Sequence, residues 1–187
     1  MSQHTEALGM LELSSIAVAY QVQDAMVKAA DVELLVARTI CSGKYIVMVG
    51  GQVEAVTASV EAGKAVSREA LIDELLIPDV DTRIFPAISG AVALQESDKE
   101  ALGILEAFSV TAIIEGADAA LKASLVTCFR IHVAMAIGGK GFLMLTGEVS
   151  QVRAGVEAGA NEIAKRGLLV SKVVIPNPEP ALFADTL

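Results

Sequence analysis

Two stretches of this chain are copies of each other: "EALGMLELSSIAVAYQVQDAMVKAA" (6–30) and "EALGILEAFSVTAIIEGADAALKAS" (100–124). The Glu, Gly, Asp and Lys residues that the two stretches share stand at the same places in both. A second matching pair follows them, "GKYIVMVGGQVEAVTASVEAG" (43–63) and "GKGFLMLTGEVSQVRAGVEAG" (139–159), and each copy then closes on an Ile-Pro pair. Internal repeats indicate that one structural unit is built more than once. The sequence therefore predicts a duplicated fold.

Each copy predicts the same order of strands and helices. Alternating apolar residues predict strands, and apolar residues at helical spacing predict helices. In the first copy these segments are strand 7–13, helix 15–30 with Ser14 as N-cap, strand 32–40, strand 44–51, helix 52–67 and strand 71–78. The β-α-β-β-α-β order is that of ferredoxin-like domains. We expect an α/β (α+β) protein with one domain over 1–94 and a second over 95–187, joined through 81–99.

The composition narrows the classes of function. Hydrophobic residues make up 53% of the 187 residues and aromatic residues only 4%, which predicts a core of small aliphatic side chains. No stretch reaches the ~18 uninterrupted apolar residues of a membrane span, and no signal peptide is visible. A net charge of −9 without a basic cluster argues against a nucleic-acid partner. We expect a soluble, cytoplasmic oligomer without membrane or nucleic-acid partners, because excess apolar surface is typical of obligate subunit contacts.

The repeated motifs resemble those of bacterial microcompartment shell proteins. These motifs are "EALG-x-LE", "DAxxKA", a Gly-Lys hairpin, "VxAxVEAG" and a terminal "IP", and the similarity covers nearly all of both copies. A duplicated chain is similar to the tandem-domain class of this family, whose trimers mimic the hexamers of single-domain members. The resemblance implies a pseudo-hexameric homotrimer that packs with other shell proteins into the wall of a cytoplasmic metabolic compartment.

The stretch "TICSGK" (39–44) places a cysteine at the predicted hairpin turn. It is most similar to shell proteins of propanediol-utilisation compartments whose trimer holds an iron–sulfur cluster at its central pore. The resemblance implies that Cys41 from each of three subunits ligates one [4Fe-4S] cluster, with one iron left to a non-protein ligand. Cysteine thiolates are the usual ligands of such clusters. The implied role is electron transfer across the shell, with encapsulated redox enzymes as further partners.

The resemblance also places the hairpin turns of both copies at the trimer axis. The implied pore-lining residues are Ser42, Gly43, Ile137, Gly138 and Gly139. The stretch "AIGGKG" (136–141) is a poor phosphate-binding loop, because Gly141 stands where that loop needs Ser or Thr and no helix is predicted directly after it. An alternative function is a plain or gated metabolite pore whose Cys41 thiols bind no metal.

Two lysines recur in equivalent helices. Lys28 and Lys122 follow Asp24 and Asp118 by four residues, a spacing that stabilises helices modestly. In the family that the chain resembles, the lysine of "DAxxKA" lies at the tile edge and packs against a neighbouring tile. The "IPRPH"-like segment that supplies an edge arginine in many members is missing here, and Arg83 is only a weak substitute for it.

The remaining candidate residues have structural interpretations. Cys128 lies mid-strand and is most simply a small apolar core residue. His132, which takes the place of Arg38, is either structural or a metal ligand or acid–base group near the pore, and His4 is expected to be solvated. No catalytic triad, carboxylate pair or zinc spacing stands out, so we do not expect an independent enzyme. A last alternative is a regulatory or metabolite-binding protein without any shell.

Overall fold

The computed structural model describes residues 5–133 and 138–183. The chain divides between Thr82 and Arg83 into two compact units, the first unit and the second unit. A short helix that the sequence did not predict, Ile84–Ser89, lies in the connecting segment and packs against a strand of the second unit. From Arg83 onward the connecting segment is thus part of the second unit, and the predicted boundary between 94 and 95 stays a prediction.

The two units share six strands and helices in the same order, and the second unit has one additional short helix before them. The first unit consists of β1 (Ala7–Leu13), α1 (Ile16–Ala29), β2 (Glu33–Ile40), β3 (Lys44–Gly51), α2 (Val53–Ser67) and β4 (Leu71–Ile77). The second consists of α3 (Ile84–Ser89), β5 (Ala101–Ala107), α4 (Val110–Ala123), β6 (Thr127–Val133), β7 (Gly141–Gly147), α5 (Val149–Lys165) and β8 (Leu169–Ile175). The antiparallel sheets have strand orders β2-β3-β1-β4 and β6-β7-β5-β8. The predicted ferredoxin-like fold class is confirmed.

Serine caps begin the first helix of each unit. The hydroxyl of Ser15 accepts a hydrogen bond from the Val18 amide, and the hydroxyl of Ser109 accepts one from the Ala112 amide. Both serines have extended backbone angles, as N-cap residues do. The predicted cap, Ser14, is wrong by one residue, because its hydroxyl instead donates to the Ala70 carbonyl.

One face of each sheet is covered by its two long helices. A Cβ atom at Gly9 would lie 2.5 Å from a methyl group of Val60 on α2, and one at Gly103 would lie 2.6 Å from a methyl group of Val156 on α5. The glycine of "EALG" therefore allows helix and sheet to approach closely in both units. Val49 and other aliphatic residues complete this core in the first unit. Within the described residues, no helix is long and apolar enough to cross a membrane.

Candidate functional site: the two hairpin turns

The first hairpin turn carries the candidate metal ligand. Cys41, Ser42 and Gly43 form the tight turn between β2 and β3, where the sequence predicted a hairpin. Ser42 and Gly43 have left-handed backbone angles, with φ of 67° and 72°. Cys41 is half-buried, whereas Ile40 before it is buried. The turn therefore presents Cys41 at the tip of a hairpin whose base is held in the core.

The second hairpin turn has left-handed residues at the two positions that match Ser42 and Gly43, and it carries no cysteine. Gly138 and Gly139 have φ of 67° and 84°, and a Cβ atom at either would meet no atom within 4 Å. The predicted pore residue Ile137 lies outside the described residues. Strand β7 begins at Gly141, so the Gly-Lys of this turn leads into a strand and not into a helix. A phosphate-binding loop is therefore not formed here.

The lysine that follows each turn makes an ion pair that the sequence analysis missed. Lys44 Nζ lies 2.8 Å from Glu12 Oε1, and the Glu12 side chain is only 4% exposed. Lys140 pairs with Glu106 in the second unit, where the glutamate side chain is 31% exposed. The signal was present in the sequence, since the glutamate of "EALG-x-LE" and the Gly-Lys pair recur together. Each pair ties a hairpin tip to the neighbouring strand β1 or β5.

The first hairpin is also anchored on its other face. Tyr45 is buried against the helices, and its hydroxyl donates to Gln23 Oε1 at 3.2 Å. Burial, with a smaller contribution from nearby Tyr20, raises the pKa of the Tyr45 hydroxyl, which stays protonated at neutral pH. The equivalent residue of the second unit is Gly141, which has no side chain to place there. The cysteine-bearing hairpin is therefore held from both faces of its sheet.

Arg38 and His132 occupy equivalent strand positions but have different surroundings. Burial lowers the pKa of the Arg38 guanidinium. The imidazole of His132 stacks on the ring of Phe142, with ring centroids 5.1 Å apart. This stacking is consistent with the structural interpretation of His132.

Cys128 is a core residue, in agreement with its position mid-strand. Its side chain is buried, and the sulfur lies 3.7 Å from the Arg130 carbonyl oxygen. Cys41 and Cys128 carry thiols and form no disulfide. Across the described residues, no three His, Cys, Asp or Glu side chains lie close enough together to hold a metal ion. A metal centre built on Cys41 from the described residues would therefore need side chains from more than one copy of the chain.

The two candidate edge lysines lie at the ends of α1 and α4. Lys28 pairs with Asp24 at 2.7 Å, and both side chains are well exposed, at 74% and 61%. Lys122 pairs with Asp118 at 2.8 Å, and here the aspartate is only 13% exposed. The geometry places both lysines in surface positions, and their contact with a neighbouring tile stays a prediction.

Arg83 is used inside the second unit. Its guanidinium donates to the carbonyl oxygens of Leu121 at 2.6 Å and Val126 at 3.3 Å. These carbonyls lie at and just beyond the C-terminal end of α4, where a helix leaves carbonyls without intrahelical partners and where positive charge is favourable. These bonds hold the Arg83 guanidinium within the second unit, and the weak role predicted for it at a tile edge stays a prediction.

Comparison with known proteins identifies the class. The BMC domain family matches residues 7–80 and 101–178. The chain belongs to this family and carries two BMC domains in tandem. It is 41% identical over 179 residues to the bacterial microcompartment shell protein PduT of Citrobacter freundii, an alignment that covers 96% of each protein.

Other relatives agree with this result. The crystal structure of a microcompartment protein from Desulfitobacterium hafniense DCB matches with a TM-score of 0.90 at 44% identity, and the match covers 96% of this chain and 98% of that one. The shell protein PduA of Citrobacter freundii is 46% identical over 63 residues, which cover 34% of this chain and 68% of PduA.

The chain is thus a structural shell protein of a bacterial microcompartment, and its location is the microcompartment shell. The family is structural and not enzymatic. The predicted family, tandem organisation and shell location are confirmed. The alternative of a regulatory protein without a shell has no support from these relatives.

Proposed function

We propose that three copies of this chain close into a ring and that their three Cys41 thiolates hold a [4Fe-4S] cluster for electron transfer across the shell. The observation that carries this proposal is the position of Cys41. It stands half-buried at the tip of a hairpin that is anchored on both faces of its sheet. A cysteine at the tip of a rigid hairpin can meet its symmetry mates without exposing the core.

The chemistry of the donor set fits the cluster only in an assembly. Iron–sulfur clusters are held by cysteine thiolates, usually four, and one chain supplies a single cysteine at this turn. Three copies supply three thiolates, and the fourth iron takes a ligand from outside the protein. When bound, the cluster would supply one-electron redox chemistry, while the chain's own residues orient the thiols. Ser42 and Gly43 keep bulky side chains away from Cys41.

A difference in burial between the units supports the ring. On the sheet face away from the helices, Met10 and Met48 of the first unit are fully buried, and Leu75 beside them is 4% exposed. The matching row of the second unit is more exposed: Ile104 and Met144 are half-buried, and Val173 is 44% exposed.

An apolar row of this kind indicates an interaction surface. The occupant that we assign to it is a second copy of this chain. In a ring of repeated units, a neighbouring copy would cover the exposed row of each second unit. Other shell proteins would then contact the outer edge of the ring, where Lys28 and Lys122 lie exposed, and encapsulated redox enzymes would exchange electrons with the cluster.

Iron and acid-labile sulfide analysis of protein purified without oxygen tests the cluster. We expect about four irons per trimer, a brown colour, and loss of both in Cys41→Ser. The matched control, Cys128→Ser, keeps the iron because that thiol is buried within one unit. A reconstituted wild type without iron would leave the metabolite pore as the function. Iron that persists in Cys41→Ser but is lost in Cys128→Ser would show that the site lies in the second unit and not at Cys41.

Sedimentation tests the ring independently of the metal. Three chains of 19.4 kDa give a particle of about 58 kDa. Val173→Glu places a charge on the exposed apolar row and should shift the particle toward monomer, whereas Lys28→Glu at the outer edge should not. A monodisperse wild-type monomer at micromolar concentration would contradict the trimer.

A further inference from the structure

The hairpin that carries Cys41 reaches beyond the strand beside it. Backbone pairing between β1 and β3 ends at Leu13 and Tyr45, where the chain leaves β1 and enters α1. Ile40 and Lys44 pair with each other at the base of the turn. The tip of the hairpin has therefore passed the end of the β1 ladder.

The side chain of Lys44 continues the connection where the ladder stops. Lys44 and Glu12 lie on the same sheet face, and Lys44 Nζ is 2.8 Å from Glu12 Oε1. The glutamate side chain is 4% exposed and the lysine side chain 29% exposed. A carboxylate buried to this degree is costly unless it is paired. The pair is therefore strongly favoured, and it fixes the first residue of β3 relative to β1.

We propose that the Glu12–Lys44 ion pair positions Cys41. The pair holds the hairpin turn in place, so that the three Cys41 thiols of a trimer lie at the distance from one another that the cluster needs. The part of this inference that concerns iron rests on the proposed function. The part that concerns the orientation and access of the Cys41 thiol does not. Neither residue contacts the metal, so both act through the turn.

The second unit supplies a matched control. Lys140 and Glu106 form the same pair beside a turn whose described residues, Gly138 and Gly139, are left-handed like Ser42 and Gly43, and this turn carries no thiol. A loss of fold or assembly caused by removing an ion pair should appear in either unit. A loss of thiol positioning should appear only in the first.

The experiment compares two neutral double variants in a Cys128→Ser background, where Cys41 is the only thiol. Glu12→Gln with Lys44→Met removes the first pair without leaving a lone buried charge, and Glu106→Gln with Lys140→Met does the same in the second unit. For iron-free trimers we expect iodoacetamide to alkylate Cys41 about fivefold faster in the first double variant, because the hairpin tip would more often adopt open conformations that expose the thiol. The second double variant should match the background.

Iron binding and rescue complete the test. After anaerobic reconstitution, the first double variant should retain less than about half of the background iron, and the second should retain all of it. Lys44→Arg, made in the same background with Glu12 retained, keeps the positive charge. It should therefore show the iron content and the slow alkylation of the background protein. Thermal melting and sedimentation show which variants are folded trimers. If the first double variant does not fold, Glu12→Asp, which keeps the charge but shortens the side chain, replaces it and should give an intermediate alkylation rate.

The outcomes separate this inference from the proposed function. Equal changes in alkylation from both double variants, or none from either, would overturn the positioning role. A background protein that binds no iron, together with faster alkylation in the first double variant alone, would overturn the cluster and leave the positioning of Cys41 intact. Full iron in the first double variant would overturn the link between the pair and the cluster.

Discussion

The two helix crossings differ at one equivalent position. In the second unit α4 and α5 approach closely at Gly116 and Gly159, and the equivalent positions of α1 and α2 in the first unit are Val22 and Gly63. A Cβ atom at Gly63 would lie 2.7 Å from Leu11 Cδ1 and from Met26 Cγ, which are side-chain and not backbone atoms.

At Gly159 the obstacle is the backbone itself. A Cβ atom there would lie 2.6 Å from the carbonyl oxygen of Gly116. A flexible side chain can turn away from an added methyl group, but a helix backbone must move as a whole. The repeats therefore share a fold while their crossings tolerate change to different degrees.

The largest expected effect comes from Gly159→Ala. Overpacking costs about 1–3 kcal/mol, while alanine gains about 1 kcal/mol over glycine within a helix. Against a backbone oxygen the cost should dominate, and we expect a loss of about 2 kcal/mol in the free energy of unfolding. Gly63→Ala, where Met26 can adjust, should stay within about 1 kcal/mol of the wild type. Urea unfolding followed by circular dichroism measures both.

Comparison of the two variants sharpens the difference between the crossings. Equal losses would mean that Met26 has no more room to move than the Gly116 backbone. A stabilised Gly159→Ala variant would mean that α4 and α5 can separate without cost, and the close crossing would then have no structural importance.

Most of the fold could be predicted because the evidence for it is periodic. Each apolar pattern appears twice, so one copy checks the other, and the predicted strand 44–51 agrees with β3 at both ends. The hairpin turn could be predicted from Gly43 and its neighbours. The short helix Ile84–Ser89 could not, because it spans only six residues and contains Pro86.

The site was less predictable because its contacts depend on register. Glu12 and Lys44 are 32 residues apart, and only the pairing of β1 with β3 shows that they meet. The sequence showed that both residues recur but not that they form a pair. Arg83 is similar: its carbonyl partners, Leu121 and Val126, become apparent only when the end of α4 is in place. Cys41 was recognised through its resemblance to a family and not through local chemistry.

The two turns provide a comparison with a smaller expected effect. Ser42 has a left-handed backbone, with φ of 67°, at the position where the second unit has Gly138, also with φ of 67°. This conformation costs a residue with a side chain roughly 1–2 kcal/mol. Replacing it with glycine relieves that cost, but the greater freedom of glycine in the unfolded chain offsets part of the stabilisation. We expect Ser42→Gly to raise the free energy of unfolding by about 0.5–1 kcal/mol and Gly138→Ser to lower it by a similar amount. Urea midpoints that move in the same direction for both variants would contradict this explanation.

The smallest expected effect on stability is at the surface lysines. The Lys28–Asp24 pair is exposed on both sides, so Lys28→Ala should change the free energy of unfolding by no more than about 0.5 kcal/mol. Lys122→Ala leaves the more buried Asp118 behind and should cost slightly more.

Because both lysines lie at the surface, we expect the double variant to remain trimeric by sedimentation but to form fewer sheets in electron micrographs. Glu61→Ala, which removes another exposed charge from a helix, should form sheets normally. Dissociation of the double variant into monomers would instead place the lysines at the interface between subunits. Sheet formation equal to that of the wild type would show that the lysines do not lie at the tile edge.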